Sequence, residues 1–373
     1  MSQRILQPGE IEALDRTQFP RIILPQPDSL LRERASRLHQ LAQDNHSLGP
    51  FLGYLKRLVD AQRAALAHVP VLPQPDNALI ERAQRHAMPL WQLPDDIDPV
   101  WQQTLKDITA HLLAGSDAET LSDTERQVAE EVQAMDSTAL TRMLARLWSD
   151  TVLEPEERVR APLLMAAVQV VMMVRASQLN LKTLPIVEPP TVCPVCGSTP
   201  LASIVHVGGQ VEGLRYLHCS VCETEWHMVR VKCSNCATTE GISYRQLEPA
   251  GVPAQTVEEL KASPMAASRY FSACMAEVCS RCNSYSKVFD QRRDPMLEVM
   301  ADDINTLVLD AAMGQFGHVR AGSHPFLFPV DDGDDAATLD PDAADGAPDG
   351  PSADEASPLD DPALFAQDKH RPH

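Results

Sequence analysis

The sequence predicts an α+β chain: an all-α N-terminal helical domain, two small metal-binding modules of rubredoxin-like or zinc-ribbon-like type, and a C-terminal helix. Three observations lead there. Apolar residues recur at helical spacing through the first half. All nine cysteines of the 373 residues fall between Cys193 and Cys282, eight of them in four C-x-x-C pairs. Between those pairs the sequence alternates as short strands do, in LASIVHVG, GLRYLHC, WHMVRVKC and ISYRQL.

Taken in order, residues 1–28 carry Pro20, Pro25 and Pro27 and suit an extended arm. Residues 29–183 form the helical domain. Leu30, Leu31, Ala35, Leu38 and Leu41 make one apolar stripe; Leu52, Leu55, Leu58, Val59 and Leu66 make a second, interrupted by Gln62. Further helices are expected over 76–88, 97–114, 119–135, 137–149 and 157–181. The last contains LLMAAVQVVMMV, an apolar run of 12 residues, which suits the centre of a bundle better than a bilayer span. Trp91, Trp101 and Trp148 are expected to anchor packing. A Pro-containing linker, Thr183 to Thr191, leads to a first module over 184–230 and a second over 231–330. Helical periodicity returns over 257–276, and a final helix is expected from Pro295 to Met313, facing Leu297, Met300, Ile304, Leu307, Val308 and Ala311 to a core. The last segment, 331–373, holds thirteen acidic and two basic residues among Asp, Ala, Pro and Gly and is expected to be a disordered, solvated terminus.

The pairs are Cys193/Cys196, Cys219/Cys222, Cys233/Cys236 and Cys279/Cys282. A two-residue gap lets both thiolates of a pair face one ion while the intervening amides turn toward sulfur, so four pairs make two tetrahedral S4 sites. Pairing in chain order gives C-x2-C-x22-C-x2-C and C-x2-C-x42-C-x2-C; an interleaved pairing satisfies the same spacings. Iron and zinc both accept four thiolates. Gly197 after the first knuckle is free to take positive φ, whereas of Glu223, Ala237 and Asn283 at the equivalent places only Asn does so easily. Cys274, the ninth thiol, reads as a small buried hydrophobe. His206, His218 and His227 lie near the knuckles, but eight cysteines already complete two sets.

The net charge of −20 divides into −11 for residues 331–373 and −9 for the rest. That balance argues against nucleic-acid binding, which needs a basic face. MSQRILQPGE lacks an apolar secretory core, and eight reduced thiols suit the same compartment, so a cytoplasmic protein without stable membrane insertion is expected. The chain has no H-E-x-x-H, P-loop, G-x-G-x-x-G after a strand or G-x-S-x-G, so it is not expected to be an enzyme. In ETEWHMVRVK, Trp226, His227, Arg230 and Lys232 suit either an exposed docking surface or a cover over the first metal site with charges turned to solvent.

CPVCGSTP (193–200), GLRYLHCSVCETEWHMVRVKCSNC (213–236), EVCSRCNSYSKVF (277–289), ADDINTLVLDA (301–311) and HPFLFP (324–329) together resemble the formate dehydrogenase accessory proteins of the FdhE type. The resemblance implies a cytoplasmic maturation factor that contacts the catalytic subunit of molybdenum- or tungsten-containing formate dehydrogenases without joining the finished enzyme. It also implies an α-helical domain joined to two rubredoxin-like iron modules. The ligands it implies are Cys193, Cys196, Cys219 and Cys222 for one ion and Cys233, Cys236, Cys279 and Cys282 for the other. Ser286 stands where this family tends to be apolar, His324 where Asn is usual, and the acidic tail runs past the family's end. Two other readings of the knuckles are a rubredoxin-like electron carrier and a zinc-ribbon structural or nucleic-acid-binding protein. The sequence is compatible with a homodimer and does not specify one.

Overall fold

The computed structural model describes residues 19–44, 47–115, 121–149, 153–247 and 273–328. The start of the arm, most of the helix expected over 257–276 and the acidic tail lie outside those residues.

Among the described residues, seven helices fill the first half: α1 (Pro27–Asp44), α2 (Gly49–Leu66), α3 (Asn77–Arg85), α4 (Trp101–Leu113), α5 (Asp123–Ala134), α6 (Ser137–Leu147) and α7 (Pro155–Ser177). Their boundaries follow local chemistry. Asp76 and Asp136 accept the backbone N–H groups of Leu79 and Ala139, and Ser122 with Glu125 forms a reciprocal capping box at α5. Helix α7 begins with Pro155, whose missing donor costs nothing at a helix start. It is long and apolar enough to cross a membrane, yet 78% of its most apolar stretch is buried within the protein, as the central helix of a bundle should be.

Gln62 within the α2 stripe is fully buried, and its Nε2 donates to the Ala166 carbonyl (2.9 Å) and to Gln169 Oε1 (3.2 Å) on α7, while its Oε1 has no partner among the described residues. Trp91 is buried with the Arg175 guanidinium 4.0 Å over its ring, and Trp101 is buried as well.

Among the described residues the strands are β1 (Ile22–Ile23), β2 (Pro200–Val205), β3 (Arg215–Cys219), β4 (Glu225–His227), β5 (Ile242–Arg245), β6 (Cys274–Cys279), β7 (Ser284–Asp290) and β8 (Val319–Arg320). They do not make two isolated ribbons. All eight lie in one sheet of order β1-β4-β3-β2-β7-β6-β5, with β8 also against β7. Strands β2-β3-β4 and β5-β6-β7 are each an antiparallel meander, and the two meet where β2 pairs in parallel with β7, Ser203 opposite Val288. The second module therefore repeats the first by translation along the sheet.

Two expected helices are corrected. Residues 274–276, at the end of the predicted 257–276 helix, are strand, because Cys274 pairs with Phe289 and Ala276 with Lys287. The helix expected from Pro295 to Met313 is two: α8 (Val299–Asn305), capped by Glu298 on the Ala301 N–H, and α9 (Leu307–Gln315). The break falls at Thr306, whose hydroxyl donates back to the carbonyls of Asp302 and Asp303 (2.8 and 3.2 Å), a bonding pattern that bends helices.

Candidate metal centres

Each meander carries one sulfur cluster, built the same way. A knuckle precedes the first strand, a second knuckle follows the second strand, and antiparallel pairing brings the two together. Thus Cys193/Cys196 before β2 meet Cys219/Cys222 after β3, and Cys233/Cys236 before β5 meet Cys279/Cys282 after β6. The clusters follow chain order; the interleaved pairing does not occur.

The knuckle geometry departs from expectation at one point. All four residues after the second cysteine, Gly197, Glu223, Ala237 and Asn283, take positive φ, at 76°, 61°, 59° and 53°. The turn demands it. In the first knuckle the Gly197 N–H returns to the Cys193 carbonyl and the Cys193 N–H reaches the Ser198 carbonyl, both at 2.9 Å; the third repeats this through Ala237 and Thr238 at 3.0 and 2.8 Å. Amides also aim at sulfur. Val221 and Cys222 donate to Cys219 Sγ at 3.4 Å, and Asn235 and Cys236 donate to Cys233 Sγ at 3.4 and 3.5 Å.

Within the first cluster, neighbouring sulfurs are 3.4 to 3.6 Å apart; across the second they are 3.8 Å apart. Four sulfurs about 2.3 Å from one ion define a tetrahedron with edges of about 3.8 Å, so both groups fit such an ion. None of the nine cysteines is in a disulfide. Cys274 joins neither cluster: it is buried beside Thr306, and that burial pushes its thiol pKa up to about 12.

Behind the first cluster lies a charged network that the sequence reading missed. Glu223, made prominent by its φ, is buried and accepts both terminal nitrogens of Arg34 from α1 (3.1 and 2.8 Å), the Nε2 of His218 (2.6 Å) and the side chain of Gln169 (3.3 Å). Arg34 also binds Glu298 at the start of α8 (2.8 Å). Burial alone would lower the Arg34 pKa, but the two carboxylates outweigh it and raise it. Burial likewise opposes charge on His218, yet its hydrogen bonds to Glu223 and Glu225 hold its pKa up at about 10. His206 shares Glu225 at 2.6 Å. These two histidines are committed to carboxylates and neither joins a sulfur cluster, and His227 packs against the rings of Phe19 and Tyr216.

The second module is bolted on in the same manner. Arg37 on α1 binds Asp302 (2.7 Å) and Asp294 (2.5 Å), and Lys287, fully buried in β7, reaches Asp303 (3.2 Å) and Asp310 (2.5 Å). The acids of ADDINTLVLDA are therefore clamps between elements. Trp226 is also inside the fold, 3% exposed with its indole N–H on the Pro190 carbonyl (2.8 Å), so it is not on an exposed docking face. Lys232 is half-buried and pairs with Glu188, whereas Arg230 is exposed together with its neighbours Val229 and Val231 and donates to the Gly213 carbonyl.

A cleft of about 1080 Å³ opens beside the first cluster. Leu93, Trp148, Leu153, Val221 and Phe328 give it apolar walls, Arg146 and Arg158 supply cationic groups, and the edge of the first knuckle, Cys196 to Thr199, forms part of its lining.

A helical bundle clamped to a sheet with two four-thiol clusters defines a protein equipped to hold two tetrahedrally coordinated ions. The family descriptions "FdhE, N-terminal", "FdhE, central domain" and "FdhE, C-terminal domain" match residues 19–188, 192–230 and 231–327 in turn. The chain belongs to the FdhE family. It is 35% identical over 336 residues to the protein FdhE homolog of Cronobacter sakazakii and 37% identical over 337 residues to that of Edwardsiella ictaluri, covering 88% of this chain and 99% of each relative. The crystal structure of the FdhE protein from Pseudomonas aeruginosa superimposes with a TM-score of 0.66 at 27% identity, over 83% of this chain and 99% of that one.

Proposed function

We propose that this chain is an accessory factor in the formation of active formate dehydrogenase, that it binds the catalytic subunit of the molybdenum or tungsten enzyme in the cytoplasm, and that it catalyses no reaction of its own. The observation that carries this reading is the co-linear match to the FdhE family from residue 19 to residue 327, with both sulfur clusters lying inside it. The functional units in this reading are the helical domain (29–183), the first module (184–230) and the second (231–330).

Cys193, Cys196, Cys219 and Cys222 are assigned to one ion and Cys233, Cys236, Cys279 and Cys282 to the other. The metal in this reading is iron, with zinc the alternative the thiolates also accept. Tetrathiolate iron supplies a one-electron couple when bound. The protein's own part is to hold four thiolates in place, to donate amide N–H groups to Cys219 and Cys233, and to present the wide cleft beside the first cluster as the seat for the client.

The test is association of the metal-loaded chain with the isolated catalytic subunit, followed by calorimetry and by spectroscopy of the bound metal. Binding at micromolar concentration or tighter, weakened when Trp148 or Phe328 in the cleft is replaced by Ser, is the expected result. No association at that concentration overturns the reading.

A further inference from the structure

The two sulfur clusters have the same construction and very different surroundings. In the first, Cys193, Cys196, Cys219 and Cys222 are all at most 1% exposed. Its knuckles are also tied to the helical domain from several sides. The N–H groups of Leu90 and Trp91 donate to the carbonyls of Pro194 and Val195 (3.0 and 2.9 Å), Gln169 donates to the Ser220 carbonyl (2.9 Å), and Glu223 is locked by Arg34. Separating those four sulfurs means breaking buried hydrogen bonds and a buried ion pair that belong to the global fold.

The second cluster is covered on one side only: Cys233 and Cys279 are buried, at 3% and 1% exposed, but the other half lies at the surface. Cys236 is exposed, Cys282 is half-buried, and the flanking Asn235, Ser280, Arg281 and Asn283 are exposed. Its outer contacts are local. Asn235 reaches toward Cys282 Sγ and Ser284, and Asn283 donates to the Gly317 carbonyl (2.8 Å) while pairing with His318 (2.9 Å). Displacing Cys236 costs only a surface turn, which belongs to the low end of the range of local opening energies.

We infer that the second cluster is the exchange site of the protein: its ion passes to and from soluble thiol or chelating ligands through Cys236, while the first ion is locked into the fold. The step is ligand substitution. An incoming donor forms a bond to the metal as the Cys236 sulfur leaves and takes up a proton, with no change in oxidation state. This rests on the reading that both clusters hold metal.

The experiment uses the full chain loaded with two zinc ions and a chromophoric zinc chelator in excess under native conditions. One equivalent is expected to leave at least about tenfold faster than the other, with Cys236 the first thiol alkylated by iodoacetamide as it does. Cys236→Ser is expected to remove the fast phase and to retain one slowly released zinc; the wild-type alkylation map tests the same point should that variant not fold. Release of both ions in a single phase, persistence of the fast phase in Cys236→Ser, or first alkylation within Cys193–Cys222 overturns the inference while the metal reading stands. Failure of the chain to take up zinc or iron at all overturns that reading itself.

Discussion

Arg34 has the most to do of any single side chain. It joins α1 to the knuckle residue Glu223 and to the cap residue Glu298, carboxylates 189 and 264 positions away. Removing one partner of a buried ion pair strands the others without water, so Arg34→Ala is expected to cost about 3–5 kcal/mol in chemical denaturation. Nothing in the sequence flags this. Arg34 and Arg37 border an apolar stripe, where solvated charges are ordinary, and their partners are legible only once the chain has folded. His324 makes a second case. It is buried with Nε2 donating to the Met300 carbonyl (3.2 Å) and Nδ1 accepting from the Phe326 N–H (3.1 Å), an arrangement that only the neutral ring satisfies. Burial pushes its pKa down to about 4. The unfolded chain binds a proton there near pH 6.5 and the folded chain does not, so this contribution is complete above about pH 6.5 and is lost as pH falls toward 4, up to about 3 kcal/mol in all. Asn offers the same donor and acceptor without a titrating group. His324→Asn is expected to flatten the stability profile between pH 6.5 and 4 relative to the parent, as read by denaturant melts at each pH.

The knuckles show how far residue spacing reaches and where it stops. Four repeats of C-x-x-C make eight sulfurs converge in two groups, because a two-residue gap and an antiparallel strand pair leave little freedom. The left-handed turn after each pair overrides residue preference at Glu223 and Ala237. At Glu223 the buried ion pair offsets the cost. At Ala237 no comparable contact does, and Ala237→Gly is expected to raise stability of the metal-loaded chain by about 1 kcal/mol, measured as an upward shift of the thermal midpoint. Helices α1 to α7 were readable from the apolar period and the prolines that punctuate it. The split at Thr306 was not, since the apolar pattern continues through it and a side-chain hydroxyl ends the first helix.

At the scale of the whole molecule, the helical half and the metal-binding half share one buried core that runs from Leu31 through α7 to Cys193, Phe289 and Ile304. The three family segments are therefore expected to unfold as one cooperative unit. Calorimetry of the metal-loaded chain is expected to give a single unfolding transition, whose midpoint falls when a chelator removes metal; two separate transitions would sink this view. The sequence announced two modules by their cysteines, but their merger into one sheet depends on the β2–β7 pairing, two strands of different modules whose register no local pattern encodes. That join has an electrostatic consequence. Since β2, β5 and β7 all run the same way, both thiol clusters sit at one end of the sheet, three strand positions apart, or roughly 14 Å at ordinary strand spacing. At that separation a unit charge gained at one cluster is felt at the other as about 1 kcal/mol in a medium of intermediate dielectric. If both clusters hold ions, as proposed, a change of charge at one would shift the other through the field between them, with no moving part.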